Sequence, residues 1–303
     1  MRTTTMTSPA TPSRSEPITL PHLLAGRYEL RALLGSGGMG DVYRGVDVLL
    51  YRAVAVKLLR TGDGSAHVDV ARFHAEACAL AAVSSPYVVA VHDFGFAEEG
   101  LYTVMRHVSG HALDQVLSEQ GALSPRRAAR VTAQVLSGLI ELHERGLVHG
   151  DVKPGNVVID PRRGAVLIDL GVAADLRRGR GLAGGTHPYM APEVMLGRVD
   201  PRADLFAAGM LLVAAATGSS LRDHADCMQL TELIPAPLAA VARVAIDLEP
   251  DSRYRDARAM REAVRAAVTA MHGVDVEAIL AAPGRRRDPE APTARPRTSK
   301  SRM

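Results

Sequence analysis

Two rare residue types mark where this 303-residue chain could do chemistry. It holds three lysines against thirty-three arginines, and a single asparagine, Asn156. Lys57 and Lys153 are the two lysines that precede the C-terminal tail, and Lys153 shares the segment HGDVKPGN with Asp151 and Asn156. Where an ammonium persists in a chain that otherwise uses arginine, a compact point charge rather than a planar fork is needed. Upstream, Gly35-Ser36-Gly37-Gly38-Met39-Gly40 is a GxGxxG. That spacing lets backbone approach phosphates closely, but dinucleotide folds share it. In those folds the glycines open a helix, whereas here they join two β-rich runs. A plain glycine-rich hairpin with a surface lysine is the minority alternative for the loop taken alone.

These residues need elements that bring them together. YELRALL, VYRGVDV and AVAVKLL, then YVVAVHDFGF and LYTVMRHV, are short β-rich runs broken by glycine or polar residues, the pattern of antiparallel strands. Between the third and the fourth, residues 69–83 carry Phe73, Ala77 and Leu80 at helical spacing. Five strands and one helix are therefore expected before Gly110. Beyond it the pattern turns helical. Ser124-Pro125 is an N-cap followed by proline at the first helical position, Val131, Val135, Leu139 and Leu142 form the apolar stripe, and Gly146 suits the stop. VVID and AVLID, split by PRRG, predict a tight hairpin, and further helices are expected near 205–217, 237–248 and 256–271.

The length suffices for one large domain or two modest ones, and 47% hydrophobic with 23% charged residues fits a globular enzyme. Cys78 and Cys227 lie far apart with no CxxC pair, which argues against a disulfide framework or a cysteine zinc site and for a reducing, cytoplasmic location. The longest apolar stretch, Leu205 to Thr217, is shorter than the roughly 20 residues of a membrane-spanning helix and reads as a buried helix, not a span. Residues 1–25, rich in Thr, Ser and Pro, lack the apolar core of a signal peptide and read as a disordered segment. Residues 273–303 read as a disordered basic tail, with seven Arg or Lys against two acids from Gly284 onward. Such a tail serves most simply as a solubilising end; the reading goes against nucleic acid, with an acidic partner as the other use of the charge.

With Val42 and Ala55-Val56-Lys57 downstream, the GxGxxG resembles the glycine loop and strand lysine of the protein kinases. HGDVKPGN resembles their catalytic loop, Asp169-Leu170-Gly171 their metal-binding DFG with leucine for phenylalanine, and GTHPYMAPE, Gly185 to Glu193, the end of their activation segment. LLGSGGMGDVYRG and GTHPYMAPE look most like the bacterial, eukaryotic-like serine/threonine protein kinases. The resemblance covers about four-fifths of the chain.

It implies an α+β, bilobal fold over residues 26–272: a small five-stranded antiparallel N-lobe with one helix, residues 26–109, and a larger, mainly helical C-lobe, residues 110–272. It also implies ATP and Mg2+ as cofactors and protein substrates with Ser or Thr acceptors. Asp151 would orient the attacking hydroxyl, Lys153 would neutralise charge on the transferring phosphoryl group, and Asn156 and Asp169 would hold Mg2+. Thr186 would bond Asp151 and Lys153. Leu34, Gly35, Ser36, Gly37, Gly38, Met39, Gly40, Asp41, Val42, Ala55, Lys57 and Val108 would line the nucleotide site, with Glu76 holding Lys57. Asp204 would brace the catalytic loop, and Arg253 would pair with Glu193.

Gly150 departs from the family, which usually has there the arginine that binds a phosphorylated activation loop. HGD is instead familiar from aminoglycoside phosphotransferases, so a small-molecule phosphotransferase is one alternative, weighed against the SGGMG loop and THPYMAPE. A nucleotide-binding pseudokinase scaffold is the other. Gly150 and Leu170 hint at decay, while Lys57, Glu76, Asp151, Asn156 and Asp169 are all chemically competent. Between Asp169 and Glu193 the only hydroxyl residues are Thr186 and Tyr189, so activity independent of activation-loop phosphorylation is expected. Dimerisation is left open.

Overall fold

The computed structural model describes residues 18–37, 40–59, 81–169, 188–198 and 200–272. An antiparallel sheet forms the N-terminal half from β1 (His22–Leu24), β2 (Tyr28–Gly37), β3 (Gly40–Asp47), β4 (Arg52–Leu59), β5 (Val91–Ala97) and β6 (Gly100–Arg106), in the order β1-β2-β3-β4-β6-β5. Side chains alternate across a strand. Val54, Val56 and Leu58 of β4 point with Tyr28, Leu30, Tyr43, Tyr102 and Val104 into one buried cluster, leaving Ala55 and Lys57 for the opposite face.

Six strands form this sheet, one more than the sequence predicts. The addition is β1, which falls inside the segment read as disordered, and Leu24, fully buried, joins the cluster with Ile18 and Leu20 packed against it. Three residues are too few to show a period-two pattern. An ion cluster locks the start of the sheet: Asp47 accepts two hydrogen bonds from Arg27, at 3.0 and 2.8 Å, and one each from the Leu49 and Leu50 amides at 3.2 Å. The Arg27 guanidinium, aided by those amides against the cost of burial, holds the Asp47 carboxyl down at about 2. The expected helix over 69–83 lies almost wholly outside the described residues.

The second half is built on helices α1 (Leu113–Gln120), α2 (Pro125–His143), α3 (Pro192–Met195), α4 (Arg202–Thr217), α5 (His224–Leu230), α6 (Ala236–Ala245) and α7 (Ala257–His272). Ser124 caps α2 as its sequence predicts, its hydroxyl accepting from the Arg127 amide at 3.4 Å with Pro125 at the first helical position. Helix α4 is apolar all round, and every residue from Ala203 to Ala215 is buried, as a helix without a polar face must be. It packs against α2, α5 and α6 and forms the centre of the larger core. A small sheet of β7 (His111–Ala112), β8 (Val157–Asp160) and β9 (Gly164–Leu167) lies beside it, with β8 and β9 forming the expected hairpin.

At Gly209, α4 packs closely against the end of α6. A Cβ there would lie 2.7 Å from Ala245 Cβ and 2.7 Å from Ile246 Cγ2. Gly209→Val therefore overpacks the core and should lower unfolding stability by about 1–3 kcal/mol, read as a lower denaturant midpoint. An unchanged midpoint would show that α4 and α6 part freely.

Candidate active site

The described glycines of the loop lie at the facing ends of antiparallel β2 and β3, with Gly35 opposite Val42, Ser36 opposite Asp41 and Gly37 opposite Gly40. Side chains at Gly35 and Gly37 would stand in open space, so their bare backbone leaves room above the loop. Gly40 is obligatory for another reason: its φ is +150° and a Cβ would lie 2.0 Å from the Leu58 carbonyl oxygen. Ser36 donates to Asp41 at 2.6 Å. Gly38 and Met39 lie outside the described residues.

Cross-strand pairing sets Val42 opposite Lys57, Lys57 opposite Thr103 and Ala55 opposite Met105, so these side chains share the sheet face turned away from the N-terminal cluster. Leu34 is half-exposed on β2, and Val108 follows β6 on the segment leading to α1. Sequence reasoning missed Thr103 and Met105; register alone brings them there. Lys57 is only 7% exposed, and its ammonium pairs with Asp169.

Antiparallel pairing of β8 with β9 explains why residues so far apart in sequence meet. Val157 faces Leu167, and one step beyond, the Ile168 amide donates to the Asn156 carbonyl at 2.9 Å. Asn156 and Asp169 are thereby brought to one end of the hairpin. Asn156 Nδ2 donates to the Asp151 carbonyl at 2.9 Å and to Asp151 Oδ2 at 2.7 Å. The Lys153 ammonium reaches the same Oδ2 at 2.7 Å. With its amide nitrogen so engaged, Asn156 has its amide oxygen left as an acceptor.

The loop carrying Asp151 hangs on a buried carboxylate, as the family resemblance implies for Asp204, which is 1% exposed on α4. Asp204 Oδ2 accepts the His149 amide and Oδ1 the Gly150 amide, each at 2.8 Å, while His143 Nε2 bonds Oδ2 at 2.8 Å. Burial opposes ionisation of Asp204, but the His143 hydrogen bond, the electrostatic influence of the two neighbouring histidines and the Gly150 amide outweigh it and hold the carboxyl below the ordinary range. Gly150 has φ +73°, the left-handed region that glycine enters at no cost. The His149 ring adds a tie: its Nδ1 accepts the Asp151 amide at 3.3 Å, which leaves Nε2 to donate to the Ile168 carbonyl at 3.2 Å.

His143 was not singled out from the sequence. Its only signal was a histidine in the last turn of an apolar helix, six residues before His149. Below the loop, Arg253 grips Glu193 through two parallel bonds of 2.7 and 2.8 Å. Its remaining N–H groups go to the carbonyls of Asp247, Arg202 and Leu248. Tyr189, just upstream, is partly buried, and burial raises its hydroxyl pKa. Glu76 and Thr186, expected at the lysine and at the catalytic aspartate, lie outside the described residues.

A β-rich lobe and a helical lobe meeting at a lysine–aspartate pair define the two-lobed kinase class of protein. The chain belongs to the protein kinase domain family, which it matches over residues 28–277. It is similar to the serine/threonine-protein kinase PksC of Streptomyces coelicolor, 37% identical over 79% of this chain and 49% of that one. It is similar also to PknB of Mycolicibacterium smegmatis, 33% identical over 80% of this chain and 43% of that protein. Among solved structures, the PknI kinase domain of Mycobacterium tuberculosis superposes with a TM-score of 0.67 at 25% identity, covering 83% of this chain and all of that one. The chain spans about half or less of the length of these curated relatives.

Removing one partner from a buried charge network leaves the rest unpaired, so Asp204→Asn should cost on the order of 3 kcal/mol at neutral pH. Because the folded carboxyl titrates below the unfolded one, its stabilisation is full above the unfolded value near 3.9 and is lost as pH falls towards the folded value, by about 1.4 kcal/mol per pH unit. Urea unfolding from pH 7 to pH 3 should show the variant's deficit shrinking at the acid end. A constant deficit would contradict this.

Proposed function

We propose that the chain is a serine/threonine protein kinase that passes the γ-phosphoryl group of ATP to protein Ser or Thr hydroxyls. The observation that carries this is Asp151, held by the Lys153 ammonium and the Asn156 amide at 2.7 Å each, on a loop anchored by Asp204. ATP would lie between the open backbone of Gly35 and Gly37 and the face bearing Val42, Ala55 and Met105, with Lys57 at its phosphates. The donors left for a cation, the Asn156 amide oxygen and the Asp169 carboxylate, are hard oxygens that fit Mg2+. Among the described residues no group of three or more His, Cys, Asp or Glu could hold a metal, which suits an ion that takes most of its ligands from phosphate and water. The cation supplies charge neutralisation at the phosphates.

Phosphoryl transfer asks the protein mainly for position and charge. Asp151 accepts a hydrogen bond from the substrate hydroxyl and takes its proton, and Lys153 offsets charge on the group in transit. Asp151→Asn should abolish transfer to protein and leave nucleotide affinity nearly intact, since the carboxylate acts on the hydroxyl. Lys57→Met should lower the rate on the order of a hundredfold, the scale for deleting one electrostatic contact. Wild-type turnover by the Asp151→Asn protein, measured with labelled ATP, would refute the assignment. The HGD sequence keeps one second reading in view, a small-molecule phosphotransferase; labelling of an aminoglycoside but of no protein acceptor would favour it.

The activity is further proposed to be independent of activation-loop phosphorylation. Gly150 offers no guanidinium to a loop phosphate, and Thr186 and Tyr189 are the only hydroxyl residues between Asp169 and Glu193. Tyr189 is partly buried and packed against the core, where a phosphate would be costly. Phosphatase-treated protein, verified by mass spectrometry to be unmodified over residues 169–193, should phosphorylate a peptide without a lag. A lag that disappears as phosphate accumulates in that segment would overturn the proposal.

A further inference from the structure

The apolar cluster of the N-terminal sheet ends in cations. Arg52 lies two residues before Val54 on β4 and Arg106 lies opposite Val54 on β6, so both extend the face that carries Val54, Val56 and Val104. Side chains in such diagonal positions start about 7–8 Å apart, a gap that two arginines span easily. His92 is the extra residue of a bulge in β5, between the pairs Val91–Met105 and Asp93–Val104, and a bulge re-aims the side chain it inserts. The segment after β6 runs onto the β8–β9 turn, where a Cβ on Gly110 would lie 2.1 Å from the Ile159 carbonyl oxygen and 3.3 Å from the Asp160 Cα. The charge of Arg163 in that turn is felt at Arg106.

These cations outnumber the acids free to meet them. Asp47 is filled by Arg27 and two amides, and Arg52 Nε stands 3.5 Å from its Oδ2, too far for a hydrogen bond. Asp160 Oδ1 accepts the amides of Arg162 and Arg163 at 2.8 and 3.0 Å. Arg106 Nη2 is buried and has no hydrogen-bond partner. A buried donor left unfilled beside like charges is costly. Burial and Arg163 lower the Arg106 pKa against the pull of Asp160, while burial, Arg52 and Arg106 lower that of His92 against Asp47. We propose that Arg106, with Arg52 and His92, binds a phosphate-class dianion at the start of the segment that joins the two halves of the molecule. Guanidinium forks match phosphate oxygens with paired bonds, and such a ligand fills the donor that the protein leaves empty. Arg52 and Arg106 lie on the sheet face opposite to Ala55 and Lys57, so the site is separate from the nucleotide face and does not depend on the kinase reading. Free phosphate and the phosphoserine of a peptide offer the same chemistry.

The test titrates the purified chain at neutral pH and fixed ionic strength with inorganic phosphate, with chloride, and with a phosphoserine peptide and its unphosphorylated twin. Thermal unfolding midpoints and calorimetry read the binding. Wild-type protein should bind phosphate saturably and unfold later than in chloride. Arg106→Gln should weaken that binding roughly tenfold or more, the scale for a hydrogen bond to a charged group. Phosphate taken up at the glycine loop is common to all variants and cancels. In chloride alone Arg106→Gln should unfold no earlier than wild type, because the guanidinium it removes has no anion to hold. Should Arg106→Gln fail to fold, Arg52→Gln decides, with a loss of phosphate affinity in the same direction. Tighter binding of the phosphopeptide than of inorganic phosphate supports the site with a phosphorylated protein as its source, and equal binding supports it with the free ion. A midpoint that rises equally in phosphate and chloride, or phosphate binding that survives both substitutions, overturns the assignment. So does an Arg106→Gln protein that unfolds earlier in chloride and still gains as much from phosphate as the wild type, the behaviour of an arginine that only holds the fold.

Discussion

The active-site geometry depends on one buried carboxylate. Asp204 lies in the centre of the helical half, on a helix with no polar face, and it holds the backbone amides of the two residues that precede Asp151. A carboxylate is costly there unless its lone pairs are filled. The amides of His149 and Gly150 and the ring of His143 fill them. The same bonds that make the charge tolerable fix the backbone of the loop one and two residues before Asp151. Stability and function are thus not separable at this point: any arrangement that satisfies Asp204 also sets the loop.

A second buried charge pair performs the corresponding task for the segment ending in Glu193. The Arg253 side chain is fully buried, with Glu193 on one side and backbone carbonyls of three residues around it, and its guanidinium lies 4.9 Å from the Phe206 ring centroid. Arginine suits this position because its fork matches a carboxylate with two bonds and still has donors to spare. Asp204 and Phe206 are near neighbours on α4, so a single helix supports both sides of the cleft where a substrate would rest. Its apolar girth, which cannot tolerate movement without exposing hydrophobic surface, makes it the rigid reference for both.

Much of this was legible in the sequence, and the parts that were not share a cause. The hairpin of VVID and AVLID, the helix capped at Ser124 and the apolar helix around 205–217 follow from local pattern, and each formed where local pattern placed it. The bracing roles of Asp204 and Arg253 were legible only through family resemblance. Strand β1 was missed because three residues cannot show periodicity, and β7 because two cannot. His143, Thr103 and Met105 were invisible for a different reason. Their importance comes from what lies opposite them across a sheet or between a helix and a loop, and register between distant segments is not written in either segment alone.

The scarcity of lysine has a physical reading at the two sites where it survives. Lys57 and Lys153 each bring one ammonium to one carboxylate, at Asp169 and at Asp151. Arginine, which the chain uses elsewhere eleven times as often, would present a planar fork that tends to engage both carboxylate oxygens at once. At Asp151 that would be self-defeating. One oxygen, Oδ2, already serves Lys153 and Asn156, so the other must stay open for the role proposed for it, accepting a substrate hydroxyl. At Asp169 a bidentate clasp would compete with the cation the residue is suited to hold. A point charge neutralises without occupying, and that requirement is what kept two lysines in a sequence otherwise given over to arginine.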